Sequence, residues 1–407
     1  MRDSGLLDEI KSRIDIVDLV SDYVSLKQSG QNYKGLCPFH TEKTPSFMVS
    51  RVKQIFHCFG CGTGGDVVTF LMKHENIPFG EAMRALAKKA GIALAVDAYD
   101  RTASAKRQNI FEANDEAMKF YVTALRDSPA AMAYLKQRGF SLDSLSVFSV
   151  GYAPDQRNAL VTYLKKMGIP ESTMLLAGLA VSDGKSYRDW FRARIMFPIF
   201  NIRNDIVAFG GRVMDSTLPK YINTPETEVF KKSDSLFAIN LAKDEIRKKH
   251  YALIVEGYLD TMMCHQHGFK NAVAPLGTAL TARHIQKLKS LTGKVVLVFD
   301  GDDAGLSAAR RSLAMCFEQN VVAKVLMLPR GEDPDSLLRK GGGGDALRKL
   351  LASSRSMIDF LLLTSKGERV EAVREILSLI ASMKDSLLAD DLLRELADRS
   401  RMNERVL

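Results

Sequence analysis

Cysteine is scarce, with five in 407 residues. That excludes a disulfide scaffold and favours a reducing compartment, where clustered thiols serve metal binding or catalysis. No run of eighteen or more apolar residues occurs, so no membrane span is expected. The opening MRDSGLLDEIKSRID is charged and lacks an apolar core, so no secretory signal is expected. A phosphate-binding GxxxxGK[ST] loop is missing. LTGKV at 291–295 comes nearest and lacks both the leading glycine and the Ser/Thr, which excludes an ATP motor. No internal repeat marks a solenoid or propeller. What remains is a soluble, cytoplasmic protein, 46% hydrophobic and 26% charged, long enough for two or three domains.

Charge is the first positive sign. The net charge is +9, and residues 185–249 carry 13 Lys and Arg against 8 Asp and Glu. A basic segment of that kind makes nucleic acid a plausible partner.

Three of the five cysteines fall in CPFHTEKTPSFMVSRVKQIFHCFGC, residues 37–61. Cys37 and His40 form a C-x-x-H pair. Cys58 and Cys61 form a C-x-x-C pair after 17 intervening residues. Two intervening residues let a tight turn aim both side chains at one ion, and two such pairs complete a tetrahedral, closed, structural zinc site. His57 adjoins Cys58 on an expected strand, so it should face the other way. Phe47, Phe56 and Phe59, beside Lys43, Arg51 and Lys53, read equally as a base-stacking surface or as the ribbon's own core. Cys264, His265 and His267 lie in an amphipathic helix without a second pair, so they are not read as a metal site, and Cys264 reads as core.

Residues 1–95 form a compact unit, with Asp66 near a helix N-cap and a later helix opened by Pro78. Residues 96–109 lose periodicity and read as a linker that can start a helix. Helices and short strands mix over 110–248. From Tyr251 solidly apolar strands alternate with helices, the mark of a buried parallel sheet over 249–340. Residues 341–407 read as helical.

Carboxylates gather at the expected strand ends. LIVEGYLD places Glu256 and Asp260 there, VVLVFDGDDAG places Asp300 and Asp302, and LPRGEDPDS places Asp333 and Asp335. Ligands of open parallel sheets bind at those ends. Acids packed so closely need a cation, and oxygen-only donors suit Mg²⁺ or Mn²⁺ in phosphoryl transfer. Any single acid can instead cap a helix, Asp302 included.

This order of motifs resembles the Toprim domain: a glutamate at a strand end, then DxD. With the zinc ribbon ahead and FRARIMFPIF, FGGRV and PKYINTPET between, residues 5–365 resemble the bacterial replicative, DnaG-type primases. The resemblance implies an α/β multidomain protein: zinc ribbon with helices, α+β subdomain, Rossmann-like Toprim subdomain and C-terminal helices. It implies de novo RNA primer synthesis on single-stranded DNA from NTPs, leaving an RNA–DNA hybrid. Zinc would sit on Cys37, His40, Cys58 and Cys61. Two or more Mg²⁺ or Mn²⁺ would sit on Glu256, Asp300 and Asp302, supported by Asp260, Asp333 and Asp335. Lys220 would be catalytic beside Tyr221. Arg138, Arg194, Arg212, Lys231 and Lys232 would line a basic groove for template and nucleotides. Helicase and single-strand binding protein enter as partners through the resemblance alone, because sequence after the sheet reads only as helix and no helicase-docking domain is expected. A zinc-bearing Toprim mediator of recombination is the alternative, one that would incorporate no nucleotide.

Overall fold

The computed structural model describes residues 3–403 except 41, 43, 76, 78, 93–97, 278 and 366–367. Lys43, Pro78 and the first two linker residues therefore lie outside the described residues. The chain divides into two compact units, Met1–Ala105 and Lys106–Leu407. Residues 98–109, read from sequence as linker, belong to the 29-residue helix Ala98–Arg126. The linker was expected to be able to start a helix, and a polar stretch with weak periodicity can propagate from a well-packed helix behind it.

The first unit is an antiparallel five-stranded meander, Lys27–Ser29, Asn32–Gly35, Phe47–Ser50, Ile55–Cys58 and Gly64–Gly65, with strands neighbouring in chain order. Alternation decides its faces: in Ile55–Cys58, Phe56 and Cys58 are buried while Ile55 and His57 are exposed. Phe47, Phe56 and Phe70 pack ring on ring with Phe39. Asp66 accepts the Thr69 amide at 2.9 Å and caps the helix Val67–Glu75.

The second unit holds two main sheets. Four antiparallel strands run in the order Tyr221–Asn223, Ile206–Val213, Arg194–Phe200, Gly151–Ala153. The other sheet orders Ala272–Val273, Ala252–Ile254, Lys294–Phe299 and Val322–Met327 in parallel, then adds Arg355–Ser356 antiparallel at its edge. The sheet thus takes its last strand from beyond residue 340. Alternate residues feed opposite cores. Leu253, Val255 and Val298 join Phe197, Phe237 and Met262 on one face. Ile254, Leu297 and Val325 meet Leu313, Phe317, Ile376 and Leu396 on the other. The first of these cores joins the antiparallel sheet to the parallel one. The second seats the helices Met357–Thr364, Arg369–Ala381 and Ser386–Ser400 against the parallel sheet. Among the described residues, no helix is long and apolar enough to cross a membrane.

Candidate functional sites

In the ribbon, the ligand atoms of Cys37, His40, Cys58 and Cys61 all lie within 4.8 Å of one another. Cys37 Sγ and Cys61 Sγ are 3.9 Å apart, Cys58 Sγ and His40 Nδ1 3.6 Å. Ordinary zinc bond lengths give tetrahedral edges of roughly 3.8 Å between sulfurs and roughly 3.6 Å from sulfur to nitrogen, so this donor set fits zinc. His57 points away from it, exposed on the opposite face from Cys58. Glu42, which the sequence reading did not single out, organises the knuckle. Its Oε1 accepts the amides of Cys37 at 2.7 Å and Ser46 at 2.9 Å. Its Oε2 lies 3.4 Å from His40 Nε2, which leaves Nδ1 for the ion. Burial pushes Glu42 up, but the Ser46 hydroxyl and the two amides outweigh it and hold the carboxyl below its ordinary range. Gly60 is required here: a Cβ would stand 2.6 Å from His40 Nε2.

Phe47 and Phe56 are 0% and 1% exposed and form the ribbon core; Phe59 is 75% exposed and does not. Cys264 is buried, and His265 Nε2 meets the Ala272 carbonyl at 2.8 Å, a core role for both.

The acids stand where the parallel strands end. Glu256 follows Ala252–Ile254, Asp300 follows Lys294–Phe299, and Asp333 lies in the turn after Val322–Met327. The Asp300 amide donates to Glu256 Oε1 at 3.4 Å, linking neighbouring strand ends. Two glycines shape DGDDAG. A Cβ on Gly301 would meet the Leu328 carbonyl at 2.2 Å, and one on Gly305 the Asp300 carbonyl at 2.2 Å. Asp302 Oδ1 accepts the Gly305 amide at 2.7 Å and caps the helix Asp303–Glu318. Asp333 caps Pro334–Arg339 through the Ser336 amide.

Burial, then the charges of Asp302 and Asp333, push Glu256 above the usual carboxylate range. Burial, then Glu256, Asp333 and Asp302, push Asp300 up to about 6. Burial, then chiefly Asp333, pushes Asp260 up to about 7, against the pull of the Asp335 amide. Their oxygens form no group as tight as the zinc donors among the described residues. Still, mutual repulsion among oxygen-only donors is the chemistry that a hard divalent cation relieves, and Glu256, Asp300 and Asp302 fit one. Asp335 differs: it is 1% exposed and ion-paired to Arg138.

The basic residues separate into two groups. Arg194 is buried and donates to the carbonyls of Pro219 at 3.1 Å and Lys220 at 3.4 Å, propping the loop ahead of Tyr221. Arg212 is buried too, its Nε donating to the Tyr221 hydroxyl at 3.0 Å with its guanidinium over the Tyr134 ring. Lys220 and Lys231 are exposed, Lys232 partly so. Helix Ala282–Lys289 fastens the Lys231–Lys232 loop. The Thr281 hydroxyl donates to the Ser233 carbonyl at 2.6 Å, His284 Nε2 meets the Lys232 carbonyl at 3.0 Å, and Lys287 reaches the Asp234 carbonyl. Tyr221 stacks on Tyr258, two residues from Glu256, and the Tyr258 hydroxyl donates to Asn223 at 2.6 Å. Tyr258 and Asn223 carry no sequence signal of their own.

A zinc ribbon, and a parallel sheet with carboxylates at its strand ends, define a zinc-bearing protein of the Toprim class. Family descriptions match throughout: CHC2 zinc finger at 3–102, DNA primase catalytic core N-terminal domain at 120–243, Toprim-like at 253–338, and DnaB-helicase binding domain of primase at 362–405. The DNA primase of Clostridium acetobutylicum is 37% identical over 99% of this chain and 69% of that protein. The crystal structure of the Aquifex aeolicus primase zinc-binding and RNA polymerase domains aligns with a TM-score of 0.68 and 36% identity over 98% of both chains. A DnaG primase catalytic domain bound to ssDNA aligns at 0.67 with 32% identity, covering 75% of this chain and 100% of that one. The chain belongs to the bacterial DNA primase family. It spans 56% of the length of the Pseudomonas putida DNA primase and 76% of that of Aquifex aeolicus. The family brings structural zinc to the ribbon and catalytic Mg²⁺ to the Toprim domain.

The match at 362–405 corrects one expectation. A helicase-binding segment is present where the sequence read only as helix. Apolar periodicity reports a helix and the face it buries, not what docks on the face left over.

Proposed function

We propose that this chain makes short RNA primers de novo on single-stranded DNA, with Glu256, Asp300 and Asp302 as the metal-binding catalytic acids and Asp260 and Asp333 in support. The observation that carries the assignment is the set of mutually repelling carboxylates at adjacent parallel strand ends. Bound Mg²⁺ or Mn²⁺ supplies charge stabilisation at the α-phosphate and a more acidic attacking 3′-hydroxyl. The chain's own residues do the rest. Asp302 is held in register by its cap on Asp303–Glu318, and Asp300 by the close turn at Gly301. Exposed Lys220 offers a point charge to the triphosphate, and Tyr221, fixed by Arg212 and Tyr258, sets where that lysine stands. Lys231 and Lys232, on their fastened loop, continue the basic track for template. Phe59, exposed beside His57, offers a ring on which a template base can stack.

Template DNA, NTPs and the RNA–DNA hybrid are the partners this chemistry needs. The 362–405 segment supports docking to a replicative helicase, and single-strand binding protein follows as the coat on the same template. The work belongs at the replicating nucleoid.

Labelled NTP incorporation on unprimed single-stranded oligonucleotides, with Mg²⁺ or Mn²⁺, tests the assignment. Short RNA products are expected from the wild type and at least a hundredfold less from Glu256→Ala. Equal yields from both would remove the acids from the mechanism.

A further inference from the structure

Arg138 and Asp335 were both expected at the working surface, one on nucleic acid and one on metal. Their geometry argues otherwise. Asp335 opens the first turn of Pro334–Arg339 yet is 1% exposed. Arg138 Nη2 pairs with its Oδ2, and Arg339 Nε lies 3.4 Å from its Oδ1. The Asp335 amide donates to Asp260 Oδ1 at 3.3 Å. Two residues earlier, Asp333 caps the same helix. The carboxylate is therefore paired with Arg138 through Oδ2, and its Oδ1 lies near Arg339 without a hydrogen-bond partner, while its own backbone holds one acid of the site and its helix carries another.

Arg138 is equally committed. It sits at the C-cap of Pro129–Gln137 in the α+β subdomain, and its Nε is buried without a hydrogen-bond partner. The seam beside it is tight. Gln266 donates to the Gly139 carbonyl and accepts the Ser141 amide, each at 2.9 Å. A Cβ on Gly139 would stand 3.3 Å from the Arg339 side chain. To reach a phosphate, Arg138 would have to leave a buried carboxylate uncompensated, which is costlier than any surface contact it could gain.

We infer that Arg138 is a positioning residue. Through its buried pair with Asp335 it locks the α+β subdomain to the helix Pro334–Arg339, so that Asp333 and Asp260 stand where the cation site needs them, and it makes no template contact. Asp335 is the hub of that lock rather than a metal ligand.

This inference rests on the acid-site assignment above, and the test separates the two. Zinc-loaded chains of residues 1–407 carrying Arg138→Met, Asp335→Asn or both are titrated with Mn²⁺, read by electron paramagnetic resonance of the free ion. The same chains are titrated with labelled single-stranded DNA at several salt concentrations. Arg138→Met is expected to weaken Mn²⁺ binding at least tenfold while DNA affinity stays within twofold and its salt slope is unchanged. Arg138→Lys, which can still pair, should recover part of the loss. In the Asp335→Asn background, Arg138→Met should add less than twofold. That double variant removes both charges together, so it carries the test even if Arg138→Met alone fails to fold. A tenfold loss of DNA affinity with a salt slope lower by about one, a multiplicative double variant, or no change in either titration would overturn the inference. Asp302→Ala is the control: if it binds Mn²⁺ like wild type, the acid-site assignment fails. If it does not, the Arg138 result stands on its own.

Discussion

On the proposed assignment, Asp302 performs two tasks with one carboxylate. Its Oδ1 caps the helix Asp303–Glu318, and capping needs an acceptor oxygen, not a charge. Cation binding needs the charge. Asp302→Asn should therefore melt within about a degree of wild type, because Asn caps as well as Asp, yet lose at least a hundredfold in NTP incorporation. Asp302→Ala should lose the activity and about 1 kcal/mol of stability as well. Thermal melts run beside the incorporation assay separate the two tasks. Asp300 gives a pH signature. Its value in the folded chain, raised to about 6 by burial and by Glu256, means that its protonated form suits the metal-free fold. That stabilising contribution is complete below the ordinary carboxyl range and disappears as pH rises through about 6. Metal-free Asp300→Asn should thus melt a few degrees above wild type at pH 7.5, and the gap should close below about pH 4. Mg²⁺ at pH 7.5 should raise the wild type and not the variant. Differential scanning fluorimetry across pH checks both arms. At this scale the zinc ligands were legible because their spacing is a local property of two tight turns. The enclosure of Arg194 and Arg212, expected along a basic groove, was not legible, since a sequence shows their charge but not the carbonyls and rings that enclose them.

At the scale of elements, the parallel sheet was legible because its strands are largely apolar: Ala252–Ile254 is buried throughout, and Val322–Met327 is interrupted only by exposed Lys324. The edge strand Arg355–Ser356 was not: two residues paired with Val325 and Lys324 carry no periodicity of their own. The DxD turn shows how an element sets a site. Gly301 passes so close to Leu328 that a methyl group has no room, and the obstacle is a backbone carbonyl, which cannot swing aside. Gly301→Ala should displace Asp300 from Glu256 and cut incorporation at least tenfold while leaving far-ultraviolet circular dichroism unchanged. Retention of full activity would mean that the turn relaxes without moving its acids.

For the whole molecule, the division at residue 105 assigns each metal to its own core. The ribbon cluster of Ile10, Phe47, Phe56 and Phe70 contains Cys37 and Cys58 themselves, so the zinc ligands are part of the packing they stabilise. The second unit buries its apolar residues in separate clusters that include none of the four zinc ligands. Metal affinity in such a ribbon is folding free energy. Chelation of zinc should therefore abolish or sharply lower the melting transition of the first unit and leave that of the second within about a degree, as read by scanning calorimetry of the intact chain. The acids proposed to hold Mg²⁺ all belong to the second unit, so the chelated chain returned to Mg²⁺ should still bind Mg²⁺ as before. If both transitions moved together, the two units would share a cooperative core, and the independence argued from their separate clusters would be wrong. If neither moved, the ribbon's aromatic cluster would suffice without its ion, and the four donors would be a bound-metal site rather than a structural one.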